Sequence, residues 1–121
     1  TGRLAQELRM RPQETAVRQI THYNTVKPGS EWVAGAWVRA DSSDEKAAAW
    51  ISLAATKNGG EFVKASASRE RVLGRSEGWV WLQAKLTAPP GAERMSFNLH
   101  AIGRGGSAYF DDASLGPPAD K

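Results

Sequence analysis

The chain has 121 residues, 40% hydrophobic and 24% charged, a length that fits one domain with a core of its own. It contains no cysteine, which excludes a disulfide framework, a thiolate zinc site and a cysteine nucleophile. Its formal net charge of +3 is too small to indicate a surface built for phosphate backbones, so no nucleic-acid partner is expected.

Alternation of apolar and polar residues dominates the chain and predicts β-strands. The first predicted strand spans residues 3–10 and ends before Pro12. Residues 15–26 space their large apolar side chains by three, as a helix does, but their Thr and Val content and the turn at 27–29 favour a bulged strand. A third strand is predicted over residues 30–40.

The segment of residues 46–57 allows two interpretations. Its alanine run favours a helix by propensity, whereas its alternation favours a strand, so a helix over residues 44–54 stays open as the alternative. Asn-Gly-Gly at 58–60 then predicts a hairpin into a strand over residues 61–68. The charged residues that follow, 69–78, predict a loop.

Three further strands are predicted over residues 79–87, 94–101 and 107–115. About eight short strands with turn signals at regular spacing indicate an antiparallel sandwich or barrel. We expect residues 1–121 to form a single domain with its core within residues 3–115. No basic segment leads into an apolar run, and no apolar stretch approaches ~18 residues, so neither a signal peptide nor a membrane partner is expected.

Three segments carry motifs in a particular order: TVKPGSEWVAGAWVRA at 25–40, GWVWLQAKLTAPPG at 78–91 and SAYFDDASL at 107–115. Together they resemble the jelly-roll, galactose-binding-like carbohydrate-binding modules of bacterial polysaccharide-degrading enzymes. The resemblance implies an all-β antiparallel sandwich, here without the usual first strand. It also implies polysaccharide binding, a linked catalytic domain of a larger bacterial enzyme and a secreted, extracellular location.

Five tryptophans stand beside only 2 Tyr and 3 Phe, and sugar-binding sites stack pyranose rings on exposed aromatic side chains. Trp32 shares the aliphatic side of its strand, and Trp79 matches a core position of the resembling family, so both are expected to be buried. Trp37, Trp81 and Trp50 lie opposite the aliphatic sides of their strands and are the candidate sugar platform. Cover by a loop, a strand or another domain is the alternative for these three.

Polar side chains opposite the aliphatic rows offer hydrogen bonds to sugar hydroxyls or to a uronate carboxylate. A solvated sheet face is the alternative interpretation for each of them. The candidates for these polar contacts are Arg39, Gln83, Arg94, Asn98 and His100.

Asp111 and Asp112 are adjacent carboxylates that suit a hard cation such as Ca²⁺. In the resembling modules an aspartate at this point commonly ligates a structural calcium together with the opening strand, so calcium is a possible cofactor. Hydrogen bonds to a turn, or a pair with an arginine such as Arg104, are the alternative.

Catalytic patterns are weak in this sequence. His22 and His100 have no neighbouring acidic or nucleophilic pattern, and no pairing separates a general acid from a general base among the glutamates. We therefore predict non-catalytic polysaccharide binding. A structural β-sandwich packed on a catalytic domain, and a small polysaccharide hydrolase or lyase, are the alternatives.

Overall fold

The computed structural model describes residues 6–13, 15–57, 61–68, 72–74 and 78–116, with all side chains except those of residues 15, 21–24, 72, 73 and 112. Within these ranges the chain forms nine strands. They are β1 (Gln6–Arg9), β2 (Thr15–Thr25), β3 (Glu31–Asp41), β4 (Ala48–Thr56), β5 (Phe62–Ala67), β6 (Val72–Leu73), β7 (Val80–Thr87), β8 (Arg94–Gly103) and β9 (Ser107–Gly116). No helix in these ranges has the length and apolar character that would carry it across a membrane.

The strands form two antiparallel sheets. The four-stranded sheet has the order β1-β9-β3-β7, and the five-stranded sheet has the order β2-β8-β4-β5, with β6 also paired to β4. Their apolar faces form one core, so the fold is an all-β sandwich consistent with a jelly roll. The fold class expected from the sequence is confirmed.

The core lies between the two sheets because successive side chains of a strand point to opposite sides. Each large apolar side chain buried there stabilises the fold by about 1.5–3 kcal/mol relative to exposure. The four-stranded sheet contributes Leu8, Ala34, Ala36, Val38, Leu82, Ala84, Leu86 and Phe110, and the five-stranded sheet contributes Ala49, Ile51, Leu53, Ala55, Met95, Phe97 and Leu99.

The ambiguous alanine-rich segment is a strand. β4 alternates Ala49, Ile51, Leu53 and Ala55 into the core, and it pairs with β8 on one side and with β5 and β6 on the other. The alternative helix over residues 44–54 is therefore wrong, because the alternate apolar side chains of this central strand all enter the core between the sheets. The turn at residues 58–60 lies outside the described residues.

A bulge in β2 and the short strand β6 also bear on the predictions made from the sequence. The bulge predicted in the second strand is confirmed, since the register of β2 against β8 shifts between Ile20 and His22. The prediction of a loop throughout residues 69–78 is wrong at Val72–Leu73, which pairs with Ala48 and Ala49. This β-branched and aliphatic pair extends the edge of the sheet within an otherwise charged segment.

Candidate functional site

The predicted ligand-binding side chains lie on both outer sides of the sandwich, separated by the core. Trp37, Trp81, Arg39 and Gln83 are on the outside of the four-stranded sheet, whereas Trp50, Arg94, Asn98 and His100 are on the outside of the five-stranded sheet. One sugar therefore cannot contact both sets. We call the first surface the aromatic face (Trp37, Arg39, Trp79, Trp81, Gln83, Tyr109, Asp111) and the second the polar face (Arg18, Trp50, Ser52, Arg94, Ser96, Asn98, His100).

The polar face is built from cross-strand rows on β2, β8 and β4. His100 pairs with Arg18 on one side and with Trp50 on the other, so these three share a row. The Trp50 indole and the His100 imidazole are stacked, with ring centroids 5.0 Å apart and an interplanar angle of 2°. His100 Nε2 also lies 2.7 Å from Ser52 Oγ. The stack and this contact hold two rings parallel beside a hydroxyl.

Asn98 lies in the next row, paired with Ser52, and its side chain is only 1% exposed. Its Nδ2 donates to Ser96 Oγ at 3.2 Å and reaches Ser52 Oγ at 3.5 Å. The other amide atom, Oδ1, is buried and accepts no hydrogen bond within the described structure. A buried polar atom without a partner costs about 1–3 kcal/mol and is uncommon in native proteins. Asn98 Oδ1 is therefore an acceptor that no described side chain satisfies.

Arg94 belongs to the same face but lies far from the stacked rings. It is half-buried and six residues before His100 on β8, roughly 20 Å away at about 3.3 Å per residue. The structure thus brings Trp50, Asn98 and His100 together and sets Arg94 at the other end of the face. Ser52, a member of the cluster that the sequence analysis missed, alternates with Trp50 on β4, and this alternation was the available signal.

The aromatic face centres on two indoles. Trp37 and Trp81 are cross-strand partners on β3 and β7, with ring centroids 5.4 Å apart and planes inclined at 62°. The Trp81 ring lies over Gly35, where a Cβ atom would come within 2.3 Å of Trp81 Cζ2. Because the two planes are inclined, the pair forms a corner and not a flat platform.

Trp79 is on this face and 41% exposed, so the expectation that it is buried is wrong. The Arg39 guanidinium lies 4.5 Å from the Tyr109 ring centroid and 5.6 Å from that of Trp79, at cation–π distance of both. Alternation through Trp79, Trp81 and Gln83 already places them on one side, a signal that the sequence analysis missed. Trp32, by contrast, is partly buried and packs against the core.

Two shallow depressions flank the indole pair. One, of about 240 Å³, is lined by Trp37, Trp79 and Asp111. The other, of about 250 Å³, includes Trp81 and Gln83. Each is smaller than the ~300–1,000 Å³ of a typical small-molecule site. At the β1 edge of this sheet, the Ser107 hydroxyl donates to Glu7 at 2.5 Å and, with Arg9 nearby, lowers the pKa of that carboxyl.

The predicted calcium site at the aspartate pair lies partly outside the described side chains. Ca²⁺ takes six to eight oxygen ligands, yet no group of three or more His, Asp or Glu side chains comes together in the described ranges. Asp111 lines the depression beside Trp37, and the side chain of Asp112 is outside the description. Arg104 donates its backbone N–H to Asp44 at 2.9 Å. Calcium stays a prediction, tested by whether EDTA lowers Tm and added calcium restores it.

Comparisons with known proteins bear on the fold. The sequence matches no protein-family model and no curated protein. Among solved structures, a family 16 carbohydrate-binding module is similar at a TM-score of 0.60 and 18% identity, covering 93% of this chain and 75% of that one. TmCBM61, solved in complex with β-1,4-galactotriose, is similar at a TM-score of 0.54 and 15% identity, over 94% and 70% of the two chains.

The enzymatically active domain of bacteriophage CBA120 tailspike protein 4 is also similar, at a TM-score of 0.71 and 14% identity. The match covers 94% of this chain but only 15% of the tailspike chain. At these identities the comparisons show a shared fold, that of carbohydrate-binding modules, and no shared site. The expected resemblance is thereby confirmed at the level of structure.

Proposed function

We propose that this protein is a non-catalytic carbohydrate-binding module whose polar face holds the sugar. The observation that carries the proposal is the parallel stack of Trp50 and His100, with the Ser52 hydroxyl beside it. A sugar presents hydroxyl groups together with an apolar C–H face, and this combination fits an aromatic stack beside polar groups. The shared fold with sugar-binding modules supports the same conclusion.

The aromatic face is the second candidate for the sugar platform, because Trp37, Trp79 and Trp81 are each 40–41% exposed. Exposed indoles stack on pyranose rings, as the sequence analysis expects for Trp37 and Trp81. Two differences favour the polar face: a parallel pair of rings, and hydroxyl and amide groups in the adjacent row. The aromatic face has inclined rings, and Arg39 already lies against two of its aromatic side chains.

The wider setting follows from the sequence motifs and one structural match. A linked catalytic domain, which the module would bring to an insoluble polysaccharide, is consistent with the tailspike, in which a much longer enzymatically active chain contains this fold. We propose the same arrangement here, in a secreted bacterial protein.

The test is a binding measurement with paired tryptophan variants. Isothermal titration or affinity electrophoresis against xylan, β-glucan, mannan, alginate and xanthan should identify a ligand. Trp50→Ala should then weaken binding about tenfold or more, while Trp81→Ala, the matched loss of an indole on the opposite sheet, should leave it unchanged. Circular dichroism and Tm check that both variants fold, and Trp50→Phe serves as a milder replacement.

Other outcomes would decide between the alternatives. Loss of binding in Trp81→Ala but not in Trp50→Ala would move the site to the aromatic face. A folded chain that binds no glycan would favour a structural module packed on a catalytic domain. Release of reducing ends or unsaturated products by the isolated chain would show a hydrolase or a lyase.

A further inference from the structure

Charge is divided unevenly between the two sheets. The strands of the five-stranded sheet contain no Asp or Glu, and their Lys and Arg residues are Arg18, Lys64 and Arg94. The strands of the four-stranded sheet contain five carboxylates and three cations. The net charge of the whole chain is small because it sums two different sheets. The charged residues in the strands of the five-stranded sheet are all cations.

One cation of the five-stranded sheet lies beside the polar groups proposed to bind sugar, whereas Lys64 pairs with the core residue Ala55 and is not on the polar face. Arg18 is exposed and is the cross-strand partner of His100, next to the stacked rings. Arg94 lies at the far end of the same face. Among the carboxylates near this sheet in the described ranges, Glu61 is paired with Lys57 Nζ at 3.0 Å, and exposed Glu93 directly precedes Arg94.

We infer that the polar face selects anionic polysaccharides whose sugar units carry a carboxylate, that is, uronate polymers. This inference rests on the proposed function and names its ligand class. An arginine guanidinium donates two parallel N–H groups to a carboxylate, a charge-assisted contact stronger than one to a neutral hydroxyl. A surface of one sign also raises the local concentration of an oppositely charged ligand and its association rate.

The opposite face carries charges of both signs. Asp111 lines one of its depressions, Glu7 pairs with Arg9 at 3.5 Å, and Arg39 lies against Tyr109 and Trp79. Carboxylates on a uronate chain would meet both attraction and repulsion there. A preference for anionic over neutral glycans would therefore indicate binding at the polar face. This evidence does not depend on which tryptophan stacks on the sugar ring.

The test compares two ligands that share a backbone and differ in charge. Titration with a polygalacturonate oligosaccharide and with its fully methyl-esterified form keeps the pyranose rings and removes only the carboxylate charge. We expect the free acid to bind at least about tenfold more tightly at low salt, and the difference to shrink as ionic strength rises. Arg18→Gln should reduce the difference severalfold.

Lys85→Gln is the matched control, since it removes the same unit of charge from an exposed position on the other sheet. Lys85→Gln should leave the preference for the free acid over the methyl ester unchanged. Equal affinity for acid and ester, or equal effects of Arg18→Gln and Lys85→Gln, would overturn the inference while the proposed function stands. Equally tight binding of single-stranded DNA of the same charge would also overturn it. Absence of binding to every glycan, neutral or anionic, would instead reject the proposed function.

Discussion

Trp81 lies directly on the backbone of Gly35, so that position 35 has no room for a side chain. A Cβ there would stand 2.3 Å from Trp81 Cζ2 and 2.7 Å from Cη2. Only glycine lets the indole lie against β3, and this contact sets the corner that Trp81 forms with Trp37. One missing methyl group thus determines the shape of the aromatic face.

Gly35→Ala should displace the Trp81 ring and destabilise the protein by about 1–3 kcal/mol, as overpacking does. Urea denaturation measures the stability, and tryptophan fluorescence reports the displaced indole. Gly78→Ala is the control, because a Cβ at Gly78 meets nothing within 4 Å, and it should change stability by less than about 0.5 kcal/mol.

In a Trp81→Ala background, Gly35→Ala should cost almost no stability. An equal cost in both backgrounds would show that the clash is not with the indole.

Arg39 should stabilise the fold through its two aromatic neighbours. Arg39→Ala is expected to cost about 1 kcal/mol, because the guanidinium lies at cation–π distance of both Tyr109 and Trp79. Arg39→Lys should keep only part of the stability that Arg39→Ala loses, since an ammonium does not stack as a planar guanidinium does. Chemical denaturation measures both. If Arg39→Ala behaves like Lys85→Ala on the same sheet, the stacking contributes nothing.

Asn98→Leu should separate stability from binding. The change removes an unpartnered acceptor, which costs about 1–3 kcal/mol, and also one amide hydrogen bond to Ser96, worth about 1 kcal/mol. The two effects largely cancel, so the stability should stay within about 1 kcal/mol of the original. Glycan affinity should fall at least about tenfold, because Asn98 Nδ2 no longer lies against the Ser52 hydroxyl beside the rings. Thermal unfolding and titration on one preparation give both values. Unchanged affinity would remove Asn98 from the site.

Asp44 should make the stability depend on acid pH. Its Oδ1 accepts the Lys46 N–H at 3.0 Å and its Oδ2 the Arg104 N–H at 2.9 Å, and these bonds lower the pKa of the carboxyl. Because the folded pKa is lowered, the stabilisation is present above the ordinary pKa of about 4 and is lost as pH falls through the folded value. Asp44→Ala should therefore have a lower Tm than the unchanged protein at pH 7. The difference in Tm between the two proteins should become smaller as the pH is lowered.

Glu45→Ala provides the comparison for Asp44→Ala, because Glu45 is exposed in the same loop. It should leave Tm nearly unchanged across the same pH range. A constant gap between Asp44→Ala and the unchanged protein from pH 7 to acid would show that the carboxylate charge has no part in the stabilisation.

Much of the fold was open to prediction because alternation is a property of a single strand. Alternation predicts that the side chains of Ile51, Leu53, Phe97 and Leu99 are buried, and they lie in the core on the five-stranded sheet. Trp79 was misassigned because a family position was given more weight than its alternation with Trp81. Helix propensity kept a second interpretation open over residues 44–54, where long-range pairing overrides local preference.

The sequence by itself determined the all-β class, the inward sides of the main strands and a tryptophan-rich surface, since these depend on residue type and on a period of two. Only the tertiary structure decided which outward side chains share a surface. Trp37 joins Trp81, and Trp50 joins His100 on the opposite sheet, because strands distant in the chain become neighbours through backbone hydrogen bonds. The same pairing places Arg18 beside His100 on a sheet whose strands contain no carboxylate, which a net charge of +3 does not reveal.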